Sequence, residues 1–135
     1  MLSSNAEAVN DWQRASGLDD KPKLIQKRLA LATSIMLAQQ AHVEEAAKNI
    51  EASLVTTNQD PLVLCTAAIV YCYCSQAVEE DARVTSFLDT AMECLNRCRQ
   101  SGYLSTSIMR TQLRSSDAFE PLRQRKDFQR LINAL

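Results

Sequence analysis

Apolar residues recur every three to four positions along this chain, and the phase of that recurrence shifts from segment to segment. The spacing predicts a helix over residues 4–16, with Leu2, Ala6, Val9 and Trp12 on its inward side and Gly17 as its stop. Asp20 is the expected cap of the next helix. Pro22 falls in its first turn, where a missing N–H costs nothing. That helix runs to about Gln40 and is apolar around most of its circumference, through Leu24, Ile25, Leu29, Leu31, Ile35, Met36 and Leu37. A helix apolar on all sides is expected to lie buried between neighbours. Residues 43–56 differ. Val43, Ala46, Ala47, Ile50 and Leu54 form one stripe, and Glu44, Glu45, Lys48 and Glu51 lie elsewhere, as on a surface helix. The turn "TTNQDP" follows, with Asp60 as a cap and Pro61 beside it, and opens a helix over 61–77. A further helix is predicted over 82–100, with the stripe Val84, Phe87, Leu88, Ala91, Met92, Leu95 and Cys98, and Gly102 ends it. Shorter helices near 104–112 and 125–134 close the chain, the last lined by Phe128, Leu131, Ile132 and Leu135. The prediction is an all-α chain of about seven helices.

The second and third of these helices, and again the fourth and fifth, pair a nearly all-apolar helix with an amphipathic one. That alternation is expected of stacked helical hairpins, whose inner helices touch neighbours on two sides. A repeat of 34 residues fits it. Residues 27–60 supply Ser34, Leu37, Ala46, Ile50 and Ser53. From Pro61 the chain supplies Leu64, Ala68 and Tyr71, then Ala91, Leu95 and Cys98, and Ser34 and Ala68 stand 34 apart. Small residues at such positions let two helices approach closely. In this register the chain resembles the tetratricopeptide repeat over residues 27–101. Ala30 and Leu64 stand where an aromatic is usual, and Ala41 where the inter-helix glycine is usual. Between Tyr71 and Ala91 the second unit holds 11 residues beyond the pattern, read as an extended connection between its two helices. The resemblance implies one α-α superhelical domain: a capping helix in 1–20, hairpins in 21–60 and 61–101, and C-terminal capping helices in 102–135. Its packing positions are Ser34, Leu37, Ala46, Ile50, Ala68, Tyr71, Ala91 and Leu95.

A narrower likeness covers residues 64–135. "AAIVYCYC", "AMECLNRCRQSGY" and "FEPLRQRKDFQRLI" resemble the repeat region at the C-terminus of many bacterial serine/threonine protein kinases. Phe119, Pro121, Leu122, Arg123, Asp127, Phe128 and Leu131 match its terminal element, while Lys126 stands where proline is usual. In that family the segment is a non-catalytic appendage. This chain has no glycine-rich loop, H-R-D or D-F-G of a kinase.

Composition narrows the function. The 135 residues suit one domain, and two glycines with three prolines favour helices over many tight turns. The net charge of −1 gives no overall pull towards nucleic acid or membrane. From Arg97 onward the balance is +5, leaving −6 in the first 96 residues. No aromatic platform or groove-reading motif accompanies that basic tail, so a solvated helical surface is the preferred reading. The opening "MLSSNAEAVNDW" has neither the basic start nor the apolar run of a secretory signal. Five cysteines, an odd number, then read as reduced thiols in a cytoplasm.

Three of those cysteines fall in "VLCTAAIVYCYCSQAVEED", residues 63–81. The apolar run that enters it, Leu62 to Cys74 with Thr66 inside, is 13 residues, the length of a buried core helix rather than a membrane span. On a helix Cys65 and Cys72 lie about 20° apart and Cys74 about 180° from Cys65. Cys65, Cys72, Cys94 and Cys98 would converge only if their two helices faced each other, and no C-x-x-C knuckle is present. Buried, small apolar thiols are the preferred reading, so no metal and no cofactor is expected. Cys98, between Arg97 and Arg99, has the only electropositive setting for a reactive thiol. His42 is the sole histidine, at a helix start, and no nucleophile–base pair or phosphate cradle is visible. An enzyme is not expected. The expected function is a protein–protein interaction module, with a protein or peptide partner, in a monomer or weak homodimer. Its candidate groove residues are Gln26, Thr33, Gln40, Thr66 and Tyr73. The alternatives are a structural domain docking in cis within a larger polypeptide, and a thiol- or metal-responsive helical protein.

Overall fold

The computed structural model describes residues 21–56 and 60–135. The helix expected over 4–16 lies outside them, with Leu2, Trp12 and the Asp20 cap. The described residues form helices α1 (Lys21–Gln39), α2 (Val43–Thr56), α3 (Pro61–Ala77), α4 (Asp81–Arg99), α5 (Ser107–Ser115) and α6 (Lys126–Ala134). Two 3-10 turns, Tyr103–Ser105 and Asp117–Leu122, flank α5. Among the described residues there is no strand, and the protein is all-α.

The ends of these helices follow from local chemistry. Asp60 has extended backbone, and its side-chain oxygen accepts from the Leu62 N–H at 2.8 Å, capping α3 with Pro61 in the first turn. Its other carboxylate oxygen accepts from the Lys27 ammonium, so one side chain both starts α3 and ties it to α1. Thr106 caps α5 and Ser116 caps the second 3-10 turn in the same way. At the end of α1, His42 N–H donates to Leu37 at 2.9 Å and Ala41 N–H to Ala38 at 3.1 Å. This paired closure requires a left-handed residue at Ala41, where φ is 64°. Gly102 supplies the corresponding residue after α4, with φ of 80°.

Helix α3 is the centre of the molecule. Eleven of its 17 residues are buried, and α1, α2, α4 and the second 3-10 turn all pack against it. Helix α1 packs on α2 and α3, so successive helices form two antiparallel pairs laid side by side. Small side chains make this closeness possible. Ala67, Ala68, Cys72 and Cys74 on α3, Ala46 on α2 and Ala91 on α4 are wholly buried. Ser34 is wholly buried too, and its hydroxyl donates to the Ala30 carbonyl at 3.0 Å, so this polar group at the crossing is satisfied within its own helix. Asn49 of α2 donates to the same carbonyl at 3.3 Å. Ile50, Tyr71 and Leu95 are buried at the expected packing positions, and Leu37 packs partly buried against the core.

The extra residues of the second pair do not form an extended connection. Both pairs are joined by three residues, 40–42 and 78–80. Instead α3 runs nine residues beyond Ala68, where α1 runs five beyond Ser34, and α4 begins ten before Ala91, where α2 begins three before Ala46. The eleven additional residues are therefore all helical, four on α3 and seven on α4. At 3.6 residues per turn these are close to one and two whole turns, so the chain leaves α3 and enters α4 on nearly the same sides as in the first pair.

The C-terminal elements close one end of the core. Phe119 and Leu122 of the second 3-10 turn are wholly buried, and the Phe119 ring lies 6.4 Å from that of Phe128 on α6. Arg125 anchors this cap to α4 through Asp89 at 2.8 Å and also pairs with Asp127 at 2.9 Å. That partner holds the Asp127 carboxyl below the usual carboxylate range.

Two substitutions test this account in opposite directions. Ala41→Gly relieves a left-handed strain of about 1–2 kcal/mol, partly offset by the greater freedom of glycine when unfolded, and raises stability by about 1 kcal/mol. Ala68→Leu overfills the wholly buried surroundings of Ala68 on α3 and lowers stability by about 1–3 kcal/mol. Urea unfolding of the two variants beside the parent chain measures both; a neutral Ala68→Leu would remove the close-contact argument.

Candidate functional site

Each face of α1 meets a different environment. Leu31, Ser34 and Ala38 face α2 and α3 and are buried. On the opposite side Ile25, Leu29 and Met36 are 58%, 65% and 49% exposed, with Ala32 exposed between them. The four are spaced four, three and four residues apart, one continuous stripe nearly opposite the core stripe. Among the described residues, the enclosure expected on every side of this helix is found on one side, where the helices that pack on α1 lie, and the other is open.

Polar candidates border the stripe. Gln26, Thr33 and Gln40 follow one another at intervals of seven, about 70° around α1 from the apolar row. Gln26 and Gln40 are exposed. Thr33 is half-buried, and its hydroxyl donates to the Leu29 carbonyl at 2.8 Å. On α3 Tyr73 is half-buried, whereas Thr66 is only 6% exposed. Thr66 is therefore corrected from a groove residue to a core one, because α3 is enclosed there by its neighbours. Sequence reasoning missed the open stripe. Its signal was present as an apolar row facing away from Leu31, Ser34 and Ala38, but a second enclosed side reads identically in sequence.

A bridge of charge and rings joins the neighbouring ends of α2, α3 and α4. Arg83 of α4 pairs with Glu44 of α2 at 2.7 Å and lies 5.7 Å over the Phe87 ring. That ring is stacked 6.1 Å from Tyr71 of α3. Glu44 is largely exposed, so the ion pair itself contributes little. The rings position the arginine. Burial pushes the Tyr71 hydroxyl well above its ordinary value.

The five cysteines are all buried and unpaired as disulfides. Burial, the largest cause, pushes Cys65 and Cys72 up to about 12 and Cys74, Cys94 and Cys98 up to about 11. Arg97 and Arg99 do not make Cys98 a reactive thiolate: the side chain is wholly buried and its thiol donates to the Pro61 carbonyl at 3.4 Å. Although α3 and α4 pack together, the described residues bring no three of His, Cys, Asp or Glu into a metal-holding group. His42 is exposed. No described helix is long and apolar enough to cross a membrane.

Comparison with family models, curated proteins and solved structures gave no match.

The thiols fix a pH dependence. Unfolded cysteines ionise near their ordinary value of 9.0, and the buried ones near 11 to 12. Below pH 9 both states keep their protons and the thiols give no slope. Above it the unfolded chain releases protons first, so stability falls as pH rises from about 9 towards about 12. The urea midpoint is expected to stay level up to about pH 9 and fall beyond it, while a thiol reagent labels the native protein only as fast as it opens. Immediate labelling of any of the five in native buffer at neutral pH would contradict this burial.

Proposed function

We propose that this chain is a non-catalytic protein-interaction module whose docking face is the open side of α1. The carrying observation is the exposed row Ile25, Leu29, Ala32 and Met36, set against a helix whose other side is fully engaged in the core. An apolar centre edged by Gln26, Thr33 and Gln40 has the composition of a recognition surface, with apolar contacts for affinity and polar groups at the rim. Covering the three large apolar side chains Ile25, Leu29 and Met36, each about half exposed or more, is worth about 1–2 kcal/mol each, enough to anchor a partner helix.

Three features support a tetratricopeptide-like character. Small residues stand 34 apart at Ser34 and Ala68, helices pack as adjacent antiparallel pairs, and the first inter-helix turn takes the left-handed conformation at the position where such repeats usually carry glycine. Under this reading the C-terminal elements cap the stack, as in the non-catalytic appendages of bacterial serine/threonine kinases, and the protein works in a cytoplasm. The cysteines serve as small packing residues. Their ionisation far above neutral pH supports a role without thiol chemistry.

Affinity capture from a bacterial lysate tests the reading. The parent chain is compared with Leu29→Glu, which places a charge at the centre of the stripe without touching the core. The expected result is a defined set of captured proteins that is lost, at least tenfold (about 1.4 kcal/mol), in the variant. An identical set on both baits, or none on either, would remove the docking role.

A further inference from the structure

We propose that the open face of α1 is a docking surface for the chain's own residues 1–20. The inference rests on the reading above for the face itself and adds its occupant in cis.

Three observations select that occupant. The first is pattern. The apolar row in residues 1–20 is Leu2, Ala6, Val9 and Trp12, spaced four, three and three, and the row on α1 is Ile25, Leu29, Ala32 and Met36, spaced four, three and four. Folded back antiparallel about Gly17 and the residues just after it, the two rows align in order: Trp12 with Ile25, Val9 with Leu29, Ala6 with Ala32, and Leu2 with Met36. Two antiparallel helices have equal rise per residue, so such an alignment holds along its whole length. The small pair, Ala6 with Ala32, falls in the middle, where close approach is easiest.

The second is charge. Helix α1 contains Lys21, Lys23 and Arg28, besides Lys27 already paired with Asp60, and no acidic residue. Residues 1–20 contain Glu7, Asp11, Asp19 and Asp20 against the single Arg14. A second copy of α1 on this face would bring basic against basic, whereas the chain's first segment brings acidic against basic. The third is tether. The segment ends where α1 begins at Lys21, so it acts at a local concentration of roughly millimolar, above what a free partner of equal affinity reaches.

Trp12 is the only tryptophan in the chain and reports on the docking directly. In the 135-residue chain its emission is expected to be blue-shifted from that of free N-acetyltryptophanamide and shielded from acrylamide, and unchanged on dilution. Leu29→Glu on the face and Val9→Asp on the segment should each return emission and quenching to the free values, with the helical far-ultraviolet signal of the stack retained. Val9→Asp lies outside the described helices, so it tests the idea even if Leu29→Glu perturbs folding. A Trp12 that is already solvent-like in the parent chain overturns the proposal. So does shielding that is lost on dilution, which assigns the contact to a second copy, and so does shielding that survives both substitutions. The two readings fail separately: a shielded Trp12 with no captured partner removes the interaction role alone, and Leu29-dependent capture with an exposed Trp12 removes only the cis occupant.

Discussion

Every other feature of this molecule depends on how closely helices can approach α3. A helix contacted by α1, α2, α4 and the turn at 117–122 must present small side chains in several directions. Ala67, Ala68, Cys65, Cys72, Cys74 and Ser75 do so, while Leu64, Val70 and Tyr71 fill the spaces between. Large residues at the small positions would hold the neighbours apart and forfeit dispersion contacts across the whole interface. The cysteines therefore belong to packing. Burial that keeps them protonated also keeps them chemically quiet.

The second helical pair shows how a fold absorbs added length. Eleven residues beyond the first pair's pattern enter as helix, and the three-residue connection stays as short as its counterpart. Near-whole turns let the chain leave and enter the helices on nearly the same sides as in the first pair, whereas an addition of two residues would turn that exit by about 200°. The longer helices carry Arg83 and Phe87 towards α2 and Tyr71, which gives the extension contacts of its own.

Charged groups act at the ends of elements, not in the core. Asp60 both caps α3 and receives Lys27, and Arg125 links the cap at 126–134 to α4. Such pairs contribute modestly to stability because they are part-exposed, but they fix which ends meet. The two ends of the stack differ accordingly. Among the described residues, one is closed by Phe119, Leu122 and Phe128, and the other presents the apolar row of α1. That asymmetry is the basis of the proposed function.

Much of the architecture was legible in the sequence. Helix positions followed from the 3.6-residue recurrence and the α3 cap from Asp60 and Pro61, because each is a local or periodic property of the chain. The repeat register assigned the eleven added residues to the connection, whereas the helical periodicity already carried them in helices over 61–77 and 82–100. The structure agrees with the periodicity, because packing, which a repeat register does not record, decides whether added residues coil or continue a helix. Thr66 was placed at a surface for the same reason, since its polar side chain carries no record of the neighbours that enclose it. Sequence alone determined that α1 is apolar on two sides. Only the tertiary structure decided which side meets the core, because burial belongs to pairs of surfaces and a single helix holds only one of them.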